Sequence, residues 1–208
     1  MHRPASADAP QPSFTTCNAV VAARGTVCAV MPIPPVPHDA PPHHGSGINR
    51  SAVFSPDRRY RYHLSRVWPF GRGSLCFIML NPSHADEADD DATIRKCMGF
   101  AKRFGYAGID VVNLYAHAAR YPKDLRAAGY PVGRHNDAWI HTTAQATHRG
   151  GGHVVCAWGH HARGLQRVDE VIRIIRSCGI DPLVLDRCVC GTPAHPLLLR
   201  YSCQLQPL

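Results

Sequence analysis

Five carboxylates crowd one short stretch of this chain. Asp86, Glu87, Asp89, Asp90 and Asp91 follow directly on Asn81-Pro82-Ser83. The apolar run Leu75 to Leu80 comes before them, and a helical pattern opens near Thr93. An apolar strand that ends in a polar loop and feeds a helix is a usual place for a site in an α/β protein. Five carboxylates are more than the start of one helix needs, so at least one is expected to have another role. Asn81 before Pro82 can make a turn, Ser83 can cap, and His195 is held between Ala194 and Pro196 in a restrained loop. Asp and Glu near a helix start also cap its free N–H groups and complement its dipole, so some of the five serve structure alone.

These groups need a scaffold, and the rest of the chain reads as one. Tyr60, Tyr62 and Leu64 alternate with Arg61 and His63, the pattern of a strand with one buried face. Leu75 to Leu80, Ile109 to Leu114 and His153 to Trp158 are apolar runs of the kind covered on both faces, and Pro182 to Leu185 is a fourth such strand. Ile94, Cys97, Met98, Ala101 and Phe104 follow helical spacing, with Asp90 or Asp91 as cap and Gly105 as stop. Further helices are expected from Pro122 to Gly129, from Asn136 to His148 and from Ala162 to Cys178. Strands that alternate with helices predict an α/β three-layer sandwich, with a mainly parallel central sheet and helices on both faces. In such a sheet the loops after 80, 113 and 158 emerge at one edge. They gather Asn81, Ser83, the aspartates, Asn113, His160 and His161, and the 191–197 loop carries His195 towards them.

Composition bounds the rest. Residues 1–55 hold nine of the 18 prolines and show no sustained period, so they are expected to form a disordered tail, with 56–208 as a single α/β domain. No stretch reaches the roughly 20 apolar residues of a membrane span, and no targeting signal stands out, so a cytoplasmic protein with no membrane partner is expected. The nine cysteines are scattered, with Cys188 and Cys190 the one close pair, and nothing has zinc-finger spacing. No cofactor and no metal ligand set is therefore assigned. The net charge of +8 suits a polyanionic partner such as DNA, or a nucleotide. A phosphate-binding GxxxxGK[ST], GxGxxG, HExxH and GxSxG are all missing, which counts against kinase, dehydrogenase, zincin and α/β-hydrolase readings.

Several motifs together resemble a known family. They are Arg61-Tyr62-x-Leu-x-Arg66-x-Trp68, the FIMLNPS of 77–83, Asp90/Asp91-x-Thr93-Ile94-Arg95-x-Cys97, the VVNLYA of 111–116, the AWG of 157–159 and the HPL of 195–197. The set resembles the bacterial and phage family named domain of unknown function 1643, over about residues 58–199. The chain departs from that pattern at Leu198, where an aromatic residue is usual, at His84 within Ser83-His84-Ala85-Asp86, and in its close from Arg200. The family carries no settled activity.

The chain is also similar, over shorter pieces, to the uracil-DNA glycosylase superfamily. Asn81-Pro82-Ser83 stands where some branches have Asn-Pro-Gly, and His195-Pro196-Leu197 stands where they have His-Pro-Ser. That similarity implies an enzyme acting at an N-glycosidic bond of a nucleobase, nucleotide or nucleic acid. Asn81, Asp90, Asp91 and His195 would be catalytic. Pro82, Ser83, Asp86, Thr93, Arg95, Asn113, Trp158 and Gly159, in or beside the same motifs, would bind substrate. The base would be flipped out or already single-stranded. Two alternatives stand beside this reading: a non-catalytic accessory protein that binds nucleic acid, and a metal-dependent hydrolase using the Asp cluster with His195.

Overall fold

The computed structural model describes residues 47–208. Its sheet has seven strands: β1 (Asn49–Phe54), β2 (Arg61–Val67), β3 (Ser74–Met79), β4 (Gly108–Asn113), β5 (His153–Cys156), β6 (Leu183–Val184) and β7 (Gln206–Pro207), in spatial order β1-β2-β4-β3-β5-β6-β7. The four α-helices are α1 (Ala92–Arg103), α2 (Pro122–Ala127), α3 (Asn136–Arg149) and α4 (Gln166–Ser177).

The expectation of a mainly parallel sheet is corrected. Strands β4, β3, β5 and β6 run parallel, but β1 with β2, β2 with β4 and β6 with β7 pair antiparallel. The sheet is mixed, and antiparallel pairing carries the larger share of the register. The physical reason lies in the connections. β1 returns into β2 through a short turn, and two short strands close the far edge. Neither edge has a helical crossover to force parallel pairing. β1 also extends the folded domain into residues that the composition had assigned to the tail; residues 1–46 lie outside the described residues.

The helices do cover both faces. Leu75, Phe77 and Met79 of β3 face a cluster that includes Ile94, Cys97, Met98 and Ala101 of α1. Cys76 and Ile78 face the other way, toward Leu125 of α2, Ile140 and Ala144 of α3, and Val171 and Ile175 of α4. A central strand with a helix layer on each side must be apolar at every position, and all six residues of β3 are buried. Burial of each such side chain is worth about 1.5–3 kcal/mol.

β2 departs from simple alternation. Its register against β1 slips between Val53 and Phe54, which pair with His63 and Arg61, so Tyr62 is an extra residue. A bulge of this kind re-aims side chains. Leu64 joins the cluster under α1, whereas Tyr62 joins Trp139 and Ala116, and the His63 ring stacks on Trp139. Arg61 is thereby turned to the α1 side, where its guanidinium reaches Ala85.

Candidate active site

α1 follows β3 on one face of the sheet, and α4 follows β5 on the opposite face. The loops after these neighbouring strands therefore part company, which makes the carboxyl ends of β3 and β5 a topological switch point. Such a switch point is the preferred ligand position in open α/β sheets. β2 runs antiparallel to β4, so its first residue, Arg61, arrives at the same edge.

The loop after β3 is held by arginines. Arg66, fully buried, donates from Nε to Asp90 Oδ1 at 2.7 Å and from its terminal nitrogens to the carbonyls of Ser65, Asp86 and Asp89. Arg50 of β1 donates to Asp90 Oδ2 at 2.6 Å. Both oxygens of Asp90 are thus engaged in ion pairs. Burial pushes its carboxyl up, but the two arginines outweigh that and hold it below the ordinary value. Asp86 Oδ1 accepts from the backbone N–H groups of Ala88 and Asp89, each at 2.8 Å, and these bonds lower its pKa. Asp90 and Asp86 shape the loop, and Arg95 adds a bond to the Asp90 carbonyl. Glu87 makes an exposed bidentate pair with Arg58.

Asp91 is different. Its Oδ1 accepts from Ile94 N at 2.8 Å and caps α1, which leaves Oδ2 without a hydrogen bond among the described residues. Its negative charge acts on both Arg61 and His195. Asn81 spends both amide N–H groups, on the carbonyls of Pro82 at 2.9 Å and Ala119 at 2.7 Å. Two carbonyl partners identify Nδ2 and leave Oδ1 turned away as a free acceptor. Ser83 and Thr93 are half-buried beside them, and Pro82 is buried with its carbonyl accepting from Ala119 N.

His195 opens the 3₁₀ turn Pro196–Leu198, and its Nδ1 accepts from Leu197 N at 3.3 Å. An accepting Nδ1 carries no proton in the neutral ring, so Nε2–H is the donor. Burial lowers its pKa, and Asp91 pulls the other way. Gly159, at φ +77°, lies directly beneath: a Cβ there would sit 3.2 Å from that of His195. The last loop therefore rests on the end of β5, within the field of Asp91.

Asn113 is 1% exposed, and neither of its amide atoms has a partner among the described residues. By strand alternation it follows Ile109 and Val111 onto the α1 side. Trp158 does not join this group. Its ring belongs to the cluster under α3 and α4, where its Nε1 is buried and unpartnered and it lines an open cavity of about 640 Å³ with Arg163, Leu165, Cys190 and Thr192. A second cavity of about 600 Å³ lies at the opposite edge, by Trp68 and Phe70. Neither is lined by Asp91, Asn113 or His195.

Two residues at this edge with unfilled hydrogen-bonding groups escaped the sequence reading. Arg61 was visible as a cation inside an apolar strand, yet alternation sent it to solvent. His117, whose Nδ1 is buried and unpartnered, sits in the loop after β4 with no distinguishing pattern around it. Among the described residues, no three His, Cys, Asp or Glu side chains converge as a metal set.

The family model described as "Protein of unknown function (DUF1643)" matches residues 61–197, from Arg61 to just past His195. Searches of the curated proteins and of the solved structures return no match.

Proposed function

This chain belongs to the DUF1643 protein family, and from that premise we propose that it is an enzyme acting at an N-glycosidic bond of a nucleobase-containing substrate. The observation that carries the proposal is that His195, resting on Gly159 at the end of β5, lies within the field of Asp91 at the β3/β5 switch point. Cleavage of such a bond builds positive charge on the sugar and negative charge on the departing base. Asp91, with one oxygen fixed in the helix cap and one unbonded, stabilises the first. His195, neutral with its proton on Nε2, donates to the second. Asn81, clamped through its amide nitrogen, offers Oδ1 to hold the attacking water. Asn113 has an unpaired donor and an unpaired acceptor, the complement of a base edge.

The test is release of free base from nucleosides, nucleotides and single-stranded DNA by the full chain. Release that falls in Asp91→Asn and His195→Gln supports the reading. No release from any substrate, with a folded protein, overturns it. A non-catalytic nucleic-acid-binding role has the excess positive charge in its favour; it predicts salt-sensitive DNA retention that Asp91→Asn leaves intact.

A further inference from the structure

Arg61 is 2% exposed and makes no salt bridge with any carboxylate among the described residues. Of its five N–H donors, only Nη1 has a partner there, the neutral carbonyl of Ala85 at 2.5 Å, and Nε is buried without one. Its neighbour Arg66 shows the contrast, paired to Asp90 and bonded to several carbonyls. A buried cation without an anion is costly, and an unfilled hydrogen-bond capacity adds to the cost. Asp91 offsets part of the charge from a distance, while Arg66 adds to the problem. A guanidinium with its fork unfilled matches an oxyanion, phosphate above all.

We propose that Arg61 is the receptor for the phosphate monoester of a small nucleotide, whose oxygens fill Nε and the outer edge of the fork in place of the Ala85 carbonyl. The inference rests on the reading of this edge as a nucleobase site, and it narrows the substrate. The guanidinium is buried and tied to the 81–91 loop at Ala85, so a ligand must displace that carbonyl to reach it, which the terminal phosphate of a small molecule can do and the bridging phosphates of a duplex cannot. The substrate class is then a nucleoside monophosphate, ahead of DNA.

The experiment measures binding to the full chain by calorimetry and thermal melting, at constant ionic strength set with chloride. The probes are inorganic phosphate, a nucleoside 5′-monophosphate, the matching nucleoside and a single-stranded oligonucleotide without terminal phosphate. Phosphate and the monophosphate should bind and raise the melting temperature, with the monophosphate tighter than nucleoside or oligonucleotide. Arg61→Met should weaken phosphate binding on the order of 10- to 100-fold. It should also leave the unliganded protein at least as stable, since it removes an uncompensated charge. An arginine placed only for structure would lose stability instead. Failure of the wild-type protein to respond to phosphate overturns the proposal, whatever the variant does. An undiminished response in Arg61→Met overturns it too. Base release without phosphate binding sinks this inference alone; phosphate binding at Arg61 without base release sinks the glycosidic reading alone.

Discussion

Arg66 and Asp90 form the buried ion pair that fixes the acidic loop: Nε to Oδ1 at 2.7 Å, with the arginine side chain fully covered and the carboxylate 10% exposed. This one contact binds β2 to the loop after β3, and Arg50 of β1 braces it from outside. It gives Asp90, an aspartate that looks catalytic in sequence, a structural duty in the fold. Removal of one partner strands a buried charge, so Asp90→Ala should cost about 3–5 kcal/mol by urea unfolding. Asp90 has a lowered pKa in the folded state. Its stabilisation is therefore fully present above the unfolded carboxylate value near 3.9, and is lost as pH falls through the lower folded value. Asp90→Ala should remove much of that acid-side slope.

Asp91 separates capping from chemistry. Asparagine caps as well as aspartate, so Asp91→Asn should keep near wild-type stability, whereas Asp91→Ala should lose about 1 kcal/mol. Base release should fall about 100-fold or more in both. Because the Asp91 charge holds the His195 pKa up, Asp91→Asn should lower it further, which a histidine NMR titration reads directly.

His195 and His161 both have pKa values lowered by burial, so each stays neutral in the folded protein where an unfolded histidine would take a proton. Their contribution is present above the unfolded value near 6.5 and is lost as pH falls through the lower folded values. Chemical denaturation at a series of pH values should show this loss, and His195→Gln should flatten it in part.

Gly159→Ala should disturb the site through one carbon atom. The residue sits at φ +77° and ψ 178°, a region essentially confined to glycine where a side chain costs about 1–3 kcal/mol, and its Cβ would crowd the His195 Cβ at 3.2 Å. A melting temperature a few degrees lower and a shifted His195 resonance are expected. An unchanged resonance would show that His195 does not rest on the end of β5.

Thiol labelling should sort the described cysteines. Burial pushes the thiols of Cys76, Cys97 and Cys156 up, so they should label only after unfolding. Cys190 is exposed, and the hydroxyl and backbone of Thr192 lower its thiol, so it should label first in the native protein by mass spectrometry.

The sequence by itself determined the elements whose environment is uniform. β3, β4 and β5 read as buried strands because helices cover both faces, so apolar residues dominate them and even Asp110 and Asn113 are buried. The α1 stripe read true because one face alone meets the sheet, and Gly105 read as its stop because that role is local; of the two candidate caps, Asp90 and Asp91, the fold uses Asp91. It also brought the Asn81–Asp91 loop and Asn113 to one edge, since both follow parallel strands, whereas the place of the His195 loop depended on the sheet order. Tertiary structure alone decided the rest. The start of α4 at Gln166, four residues past the expected one, depends on a 3₁₀ turn at His160–Ala162 that apolar spacing does not reveal. β1 was hidden because its half-buried residues gain their value only from pairing with β2. The bulge at Tyr62, which swings Arg61 inward, breaks the period of two without leaving a mark in composition. Asp90 and Asp91, adjacent and chemically alike, find different surroundings, because one meets Arg66 and Arg50 from distant strands while the other caps α1. Such assignments depend on which charges meet across the chain, and that is a property of the packed molecule.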